Sequence, residues 1–293
     1  MTVSLSWFGV STFRLDIDGR MVFLDCFVDR APEAPDVGLK SDEIEQADFV
    51  LLGHSHFDHA LGAETIARNT GAVVVGSYES ARIMADDGVS ESQLLPVSGG
   101  ETVDLGDDVR VRVFPGLHSC IWAPGSRDAS ACLTGDLDLP LQGRLRRQVE
   151  KFAAREAGAP AHSRDHIPHV RGDGGALVYL IETPEGSIWW NDTSGYWSWV
   201  VDAVNPDVAI VAAAGRGNID GEPVQGSLAQ FVGSQVERLA PRSVILCHHD
   251  NWNPPLTKEM DLEPIVFEID QRTDKSVEVI SLAYSDPIKV RFS

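Results

Sequence analysis

The sequence predicts an α/β protein in which two mixed β-sheets pack face to face and helices cover their outer faces. Each half of the 293-residue chain gives several short β-rich runs followed by helical segments, as layered folds do. The run at 47–52 is almost continuously apolar, which indicates a strand covered on both faces. Polar clusters follow directly after two of the predicted strands, at 53–59 and 248–251. We therefore expect one domain over residues 1–293, with strand ends that aim side chains into a single site.

In the N-terminal half, short β-rich runs alternate with helical segments. The predicted strands lie at 3–7, 12–17, 21–24, 47–52, 73–75, 101–105 and 109–114. The turns Asp18-Gly19 and Gly106-Asp107 join neighbouring strands into hairpins. Helices are predicted at 60–69, where Gly71 ends the pattern, and at 79–86.

Residues 120–173 interrupt this alternation, and we interpret them as an insertion. They contain a predicted amphipathic helix at 141–156, with one apolar face formed by Leu141, Leu145, Val149 and Phe152. Both ends of the insertion adjoin polar clusters, so we expect it to form a lid or an oligomer contact beside the site.

The C-terminal half resumes the pattern of strands followed by polar residues. The predicted strands lie at 176–181, 187–190, 208–212, 243–247, 277–283 and 288–292, with one helix at 227–239. The first two form a hairpin across Pro184-Glu185-Gly186.

Charge and composition exclude several classes of partner. The chain has 24 Lys and Arg against 44 Asp and Glu, a net charge of −20, which repels nucleic acids and anionic membranes. No apolar run approaches the ~18 residues needed to span a bilayer, and the first residues do not form a signal peptide. The four cysteines form no CxxC pair. We expect a cytoplasmic protein that acts on a small molecule and binds neither nucleic acid nor membrane.

The segment 54–59 carries the decisive chemical signal. His54, His56, Asp58 and His59 form an HxHxDH pattern directly after a predicted strand. Imidazole and carboxylate ligands suit borderline divalent metals such as Zn. Crowding four such groups is costly unless cations neutralise them, so the pattern predicts a metal site with more than one ion.

These four residues resemble the signature of the metallo-β-lactamase superfamily. The opening segment 7–26 is most similar to the branch that holds ascorbate-6-phosphate lactonase, although relatives there often carry His in place of Val10. The resemblance implies an αββα sandwich with a binuclear centre at one edge, holding two divalent ions. Zn is the first expectation, with Mn or Fe as alternatives.

The resemblance also implies three further ligands. His118 follows the strand at 109–114. For the bridging carboxylate, Asp192 ends a predicted hairpin and is preferred to Asp136, although Asn191 replaces the usual Gly. For the last ligand, His248 is preferred to its neighbour His249. The implied arrangement places His54, His56 and His118 on one ion, Asp58, His59 and His248 on the other, and Asp192 between them.

The expected chemistry is hydrolysis by a metal-bridging hydroxide, with Asp58 as the catalytic residue that orients or deprotonates the nucleophile. We expect a small-molecule ester, a lactone first, as substrate. A phosphodiesterase, a non-hydrolytic iron redox protein and a non-enzymatic metal-binding scaffold remain alternatives. Predicted substrate contacts are the aromatic residues Tyr196, Trp197 and Trp252, together with Arg216 and Asn218 in a Gly-rich segment that suits an anionic group.

Overall fold

Two seven-stranded β-sheets face each other across the main hydrophobic core. The structure, a computed structural model, describes residues 1–158 and 173–292, and side chains are described for all of these except 152–158. Residues 159–172 of the predicted insertion therefore lie outside the described part of the chain.

The first sheet has the order β17-β1-β2-β3-β4-β5-β6. Its strands are β1 (Val3–Trp7), β2 (Phe13–Ile17), β3 (Arg20–Leu24), β4 (Phe49–Leu51), β5 (Val73–Ser77), β6 (Leu94–Val97) and β17 (Ile288–Lys289). The pairs β1-β2 and β2-β3 are antiparallel, whereas β3 to β6 run parallel. The sheet is mixed, as predicted.

The second sheet has the order β16-β15-β12-β10-β9-β8-β7. Its strands are β7 (Thr102–Gly106), β8 (Val109–Pro115), β9 (Leu177–Thr183), β10 (Gly186–Asn191), β12 (Val208–Ala212), β15 (Ser243–Cys247) and β16 (Glu278–Ile280). The strands β7 to β10 pair antiparallel, and β10, β12, β15 and β16 pair parallel. A small third sheet joins β11 (Gly195–Tyr196), β13 (Asn218–Ile219) and β14 (Glu222–Pro223).

Helices cover the outer faces of both sheets. The described α-helices are α1 (Phe57–Ala60), α2 (Ala63–Thr70), α3 (Tyr78–Asp86), α4 (Leu141–Gly158), α5 (Ser198–Val201), α6 (Leu228–Leu239) and α7 (Glu263–Arg272), with short 3₁₀ turns at Ser41–Glu43 and Glu91–Gln93. Helices α2 and α3 bury Ile66 and Met84 with the outer face of the first sheet. Helices α6 and α7 bury Phe231 and Ile265 against the second. The architecture is the expected αββα sandwich.

The core between the sheets depends on large side chains from both of them. Trp190 is fully buried there, and its ring stacks on Tyr179 with 5.5 Å between the ring centroids. We expect Trp190→Ala to lower the free energy of unfolding by about 3–5 kcal/mol, because it removes buried apolar surface and leaves a cavity. Trp199 is 59% exposed, so Trp199→Ala is the matched control and should change stability by less than about 0.5 kcal/mol. Denaturant titration of both variants measures the difference, and equal losses would contradict this assignment of the core.

The structure differs from the sequence prediction in several elements. Strand β6 was not predicted, because Pro96 interrupts it, and prolines are confined to edge strands such as this one. Helix α7 was also missed, because exposed Phe267 obscures the spacing of its buried residues Ile265 and Ile269. The helix predicted at 60–69 is present as α2 but begins at Ala63, after Gly62, whose φ of +99° is left-handed. The residues before Gly62 form the separate short helix α1.

The predicted helix of the insertion is present as α4, but its apolar face is not buried in the described part of the chain. Leu141, Leu145 and Val149 are 67%, 48% and 54% exposed. The side chain of Phe152 lies outside the described residues. Across the described ranges 1–158 and 173–292, no helix is both long enough and apolar enough to span a membrane.

Candidate metal centre

The predicted metal-site residues meet at one edge of the sandwich. The segment 54–59 follows β4 of the first sheet, and His118, Asp192 and His248 follow β8, β10 and β15 of the second. The strands β8, β10 and β15 run in the same direction, so their carboxyl ends lie at the same edge. Rigid strand ends from both sheets thereby place distant parts of the sequence side by side.

The six outer residues form two groups. The first cluster is His54, His56 and His118, and the second cluster is Asp58, His59 and His248; within each, the donor atoms lie within 4.8 Å of one another. In the first cluster, His54 Nε2 is 3.0 Å from His56 Nδ1. In the second, His248 Nε2 is 3.3 Å from His59 Nε2 and 3.5 Å from the Asp58 carboxylate.

Asp192 lies between the two clusters. Its Oδ2 is 2.6 Å from Nδ1 of His54 and 3.3 Å from Nδ1 of His59, so it touches one histidine of each. The side chain is fully buried, and burial raises the pKa of Asp192 to about 6. Asp136, the alternative candidate, lies outside both clusters and pairs with Arg147 and Arg216.

The donor set fits divalent cations. Burial lowers the pKa values of His54, His59 and His118, and neighbouring histidines lower them further, which favours the neutral imidazoles that bind metals. Burial also lowers the pKa of His248, but the hydrogen bond and charge of Asp58 outweigh it, so the net shift is upward.

A buried oxygen atom without a hydrogen-bond partner also indicates a cation site. Asp192 Oδ1 is buried without a hydrogen-bond partner among the described residues. Converging nitrogen lone pairs and orphaned buried atoms are costly in a protein interior, and cations would satisfy them. The implied ions therefore suit the residues that are present.

Asp25 belongs to the site, although sequence reasoning missed it. Its Oδ2 is 2.6 Å from His59 Nδ1, and its Oδ1 accepts a hydrogen bond from the Gly53 amide at 3.0 Å. A carboxylate on the far ring nitrogen fixes the orientation of a ligating histidine, here with Nε2 towards Asp58 and His248. Asp25 directly follows β3, and its position at a strand end was the signal that could have identified it.

Gly53 makes room for Asp192. A Cβ atom on Gly53 would lie 2.1 Å from Asp192 Oδ2, so the position admits no side chain unless that carboxylate moves. We expect Gly53→Ala to weaken zinc binding by about 10–100-fold, as changes next to metal ligands do.

Competition with a chromophoric chelator measures this affinity. Gly143→Ala on α4 is the control, because its Cβ would meet only Pro140 at 3.7 Å and should leave zinc affinity unchanged. Unaltered zinc affinity in Gly53→Ala would contradict the placement of Asp192 at the metals.

Four of the five predicted substrate contacts have other roles in the structure. Tyr196 is buried and stacks on Phe231, and Trp197 packs against the same outer core of the second sheet. After Asp192 the chain enters the small third sheet at Gly195–Tyr196, and neither ring is among the residues that line the cavity above the clusters.

The two predicted polar substrate contacts, Asn218 and Arg216, also have partners within the protein. Asn218 Nδ2 donates to the His118 carbonyl at 2.7 Å and so holds the loop of that histidine. The Arg216 side chain is 1% exposed, pairs with Asp136 at 3.5 Å and donates to the carbonyls of Gly135 and Val224. Asp136 and two carbonyls therefore hold the Arg216 guanidinium, although the residue also lines the cavity, and its contact with a substrate stays a prediction.

Trp252 does line the cavity above the clusters, and its ring lies 5.9 Å from that of His248.

His249 also lines the cavity but packs on Trp7, at 5.0 Å between ring centroids, outside both clusters. The structure thus brings His248, the preferred candidate, to the second cluster.

A cavity of about 560 Å³ opens above the two clusters. Its floor includes His56, Asp58 and His248. One wall comes from the predicted insertion, through residues 120, 121 and 123–127 and through Lys151 of α4. The described part of the insertion thus borders the site as expected, and its closure as a lid stays a prediction.

Comparison with known proteins agrees with this geometry. A family model described as a beta-lactamase superfamily domain matches residues 20–135. A protein of Pyrobaculum neutrophilum, named as a metal-dependent hydrolase, is 32% identical over 117 residues, which are 40% of this chain and 51% of that protein. The chain thus spans about half the length of the curated relatives it matches.

Solved structures share the fold over the whole chain. Igni18, a metallo hydrolase of the archaeon Ignicoccus hospitalis, aligns over 100% of both chains with a TM-score of 0.63 and 16% identity. CmlA, a diiron β-hydroxylase of Streptomyces venezuelae, aligns over 99% of this chain and 54% of its own, with a TM-score of 0.59 and 15% identity.

The matched range 20–135 contains β4 and the histidine-rich segment after it, and the remaining ligand-type residues converge on that segment from the strand ends of the second sheet. The αββα layers and the HxHxDH motif agree with the match of residues 20–135 to a beta-lactamase superfamily domain, and the solved metallo hydrolase structure shares the fold.

Proposed function

We propose that the chain is a metal-dependent hydrolase of small-molecule esters, with lactones as the first substrate class. The observation that carries the proposal is the pair of clusters joined by Asp192 at the floor of a cavity. Two adjacent cation sites, each with imidazole and one with carboxylate ligands, suit zinc first and manganese or iron as alternatives. Bound divalent ions activate water at neutral pH and polarise the oxygen of the bond that is cleaved.

The chain's own residues supply positioning and proton transfer. Asp58 lines the cavity with 13% of its side chain exposed, and its carboxylate faces His59 and His248. Burial opposes ionisation of Asp58, but these histidines outweigh it and hold the pKa of its carboxyl well below the usual range. Asp58 is therefore ionised at neutral pH and can orient an attacking water or accept its proton.

The cavity favours a compact substrate. About 560 Å³ is a volume that suits a small molecule. Trp252, Ile121 and Leu256 add apolar surface for the body of the substrate. A lactone fits this setting, because its alkoxide leaving group needs less protonation than an amide nitrogen does. The similarity of segment 7–26 to the lactonase branch supports the same choice.

The test compares hydrolysis of an ester bond with hydrolysis of a phosphodiester bond by the same protein preparation. Zinc-loaded protein is assayed with γ-butyrolactone and with bis(p-nitrophenyl) phosphate, before and after removal of metal by EDTA. We expect lactone opening that disappears with chelation and returns with zinc or manganese. Robust phosphodiester turnover without lactone opening would replace the substrate class. Absence of metal-dependent hydrolysis of either compound would contradict the proposed function.

A further inference from the structure

The loop between β1 and β2 contacts the backbone of two residues of the metal centre. In this loop, the Val10 carbonyl accepts a hydrogen bond from the His248 amide at 2.7 Å. The next residue, Ser11, donates its hydroxyl to the carbonyl of Asp192 at 2.9 Å. Val10 and Ser11 are both completely buried. One short loop of the first sheet therefore touches a ligand-type histidine of the second cluster and the acid that lies between the clusters.

Val10 adopts a backbone conformation that its side chain disfavours. Its φ is +46°, in the left-handed region. A β-branched residue rarely has a positive φ, because its Cβ substituents crowd the backbone there. Such a conformation persists only where the surrounding contacts fix it. His248 is also left-handed, with a φ of +62°, so the hydrogen bond between these two residues joins two uncommon backbone conformations.

Asp250 contacts the same loop with a carboxylate that is itself held in place. Its Oδ1 accepts a hydrogen bond from the Val10 amide at 2.9 Å. Its Oδ2 accepts from Arg30 Nη2 at 2.8 Å and from the Tyr284 hydroxyl at 2.9 Å. The side chains of Asp250 and Arg30 are only 5% and 2% exposed, so the ion pair is shielded from solvent. Donors from three separate segments of the chain thus fix this carboxylate.

Two further contacts fix the loop against the ion pair. The indole of Trp7 donates to the Val10 carbonyl at 3.2 Å, so that oxygen accepts from two donors and the orientation of its peptide is fixed. Gly9 has a φ of +82°, and a Cβ atom there would lie 1.7 Å from Arg30 Nη2 and 2.7 Å from Asp250 Oδ2. The loop therefore lies directly on the ion pair, with no room for a side chain between them.

Asp250 also lines the cavity, but its oxygen atoms are used within the protein. They accept the three hydrogen bonds from Val10, Arg30 and Tyr284. Among the described residues, Asp250 belongs to no possible metal-binding group. Its connection to the metal centre therefore runs through the Val10 peptide to His248.

We infer that Asp250 is a positioning residue of the metal centre, which sets the position of His248 through the N–H and C=O groups of Val10. Partners that orient a metal ligand usually contact its ring, as Asp25 contacts His59, whereas here the backbone of the ligand is held. The inference rests on the metal centre of the proposed function and does not depend on which bond is hydrolysed.

Cobalt binding tests the inference, because the visible absorption of bound Co²⁺ responds to the geometry of its ligands. We expect Asp250→Ala to bind one of two Co²⁺ equivalents about 10–100-fold more weakly and to alter the visible spectrum. Asp250→Asn keeps an acceptor for the Val10 amide and should lose less affinity than Asp250→Ala. Glu259→Ala, at an exposed acid of the same loop between β15 and α7, is the control and should match the wild type.

Tyr284→Phe tests the same carboxylate in a variant that retains the ion pair. It removes one hydrogen bond to Asp250 and keeps the ring that packs on Arg30, with 5.4 Å between the guanidinium carbon and the ring centroid. We expect affinity for one Co²⁺ equivalent to fall about threefold. Tyr78→Phe is the matched control, because Tyr78 is 67% exposed and lies on α3.

Amide exchange in the metal-free protein separates this inference from the proposed function. The nine histidines are labelled with ¹⁵N, and the signal that is lost in His248→Gln identifies the His248 amide. We expect this amide to exchange with solvent about tenfold faster in Asp250→Ala, because the Val10 carbonyl that accepts its hydrogen bond is held less firmly. The His59 amide, which donates to the His56 carbonyl at 3.0 Å, is the internal control.

Equal cobalt affinities and spectra in the wild type, Asp250→Ala and Tyr284→Phe would overturn the inference and leave the proposed function standing. A higher KM for γ-butyrolactone in Asp250→Ala with an unchanged cobalt spectrum would also overturn it, because Asp250 would then act on the substrate directly. Failure of the wild-type protein to bind two Co²⁺ equivalents, with faster exchange of the His248 amide in Asp250→Ala, would instead contradict the centre on which the proposed function rests and support the positioning of His248 by Asp250.

Discussion

Replacing Asp192 with asparagine is expected to lower kcat/KM for lactone opening by about 1,000-fold or more. The carboxylate contacts His54 and His59, one from each cluster. Among the described residues, no other acid forms a possible metal-binding group with both of these histidines. An asparagine keeps the shape but loses the charge that would join two cations, so both ions are held less firmly. Initial rates with γ-butyrolactone at matched zinc loading measure the effect.

Asp136→Asn is the matched control for this prediction. Asp136 pairs with Arg147 and Arg216 outside both clusters, and asparagine retains an acceptor for both. We expect it to keep most of the activity. A large loss in Asp136→Asn together with an active Asp192→Asn would reverse the assignment of the bridging carboxylate.

His248→Ala is expected to abolish one of two zinc sites and to lower kcat/KM by about 100–1,000-fold. Its Nε2 lies 3.3 Å from His59 Nε2 and 3.5 Å from Asp58, so its loss leaves the second cluster with only two donors. Removing one ligand from a three-residue site weakens metal binding strongly, because the remaining donors no longer complete the coordination.

The neighbouring histidine provides the control within the same loop. His249 packs on Trp7 and belongs to neither cluster, so His249→Ala should keep both zinc ions and lose less than about tenfold in activity. Loss of zinc from His249→Ala but not from His248→Ala would show that the other histidine is the ligand.

The parts of the fold that sequence reasoning predicted are those with local signals. The run at 47–52 is apolar except for Asp48, and the His54 to His59 segment is contiguous, so both could be recognised without knowledge of distant contacts. The hairpin that ends at Asp192 has a clear turn between its strands, and this separated Asp192 from Asp136. Strand β6 and helix α7 carry weaker local signals, and both were missed.

The site residues that could not be predicted depend on contacts between distant segments. Asp25 is an isolated carboxylate whose role appears only when β3 and β4 pair and bring it to His59. Arg216 looked free in the sequence, but folding buries it against Asp136.

The most direct test of two adjacent metal sites is the zinc content of the saturated, desalted protein by inductively coupled plasma mass spectrometry. We expect two equivalents in the wild-type protein and in Asp136→Asn, and one equivalent in His118→Ala and in His248→Ala, because each of the latter removes one donor from a different cluster. One equivalent or less in the wild-type protein, or two retained in both histidine variants, would contradict a centre built from these two clusters.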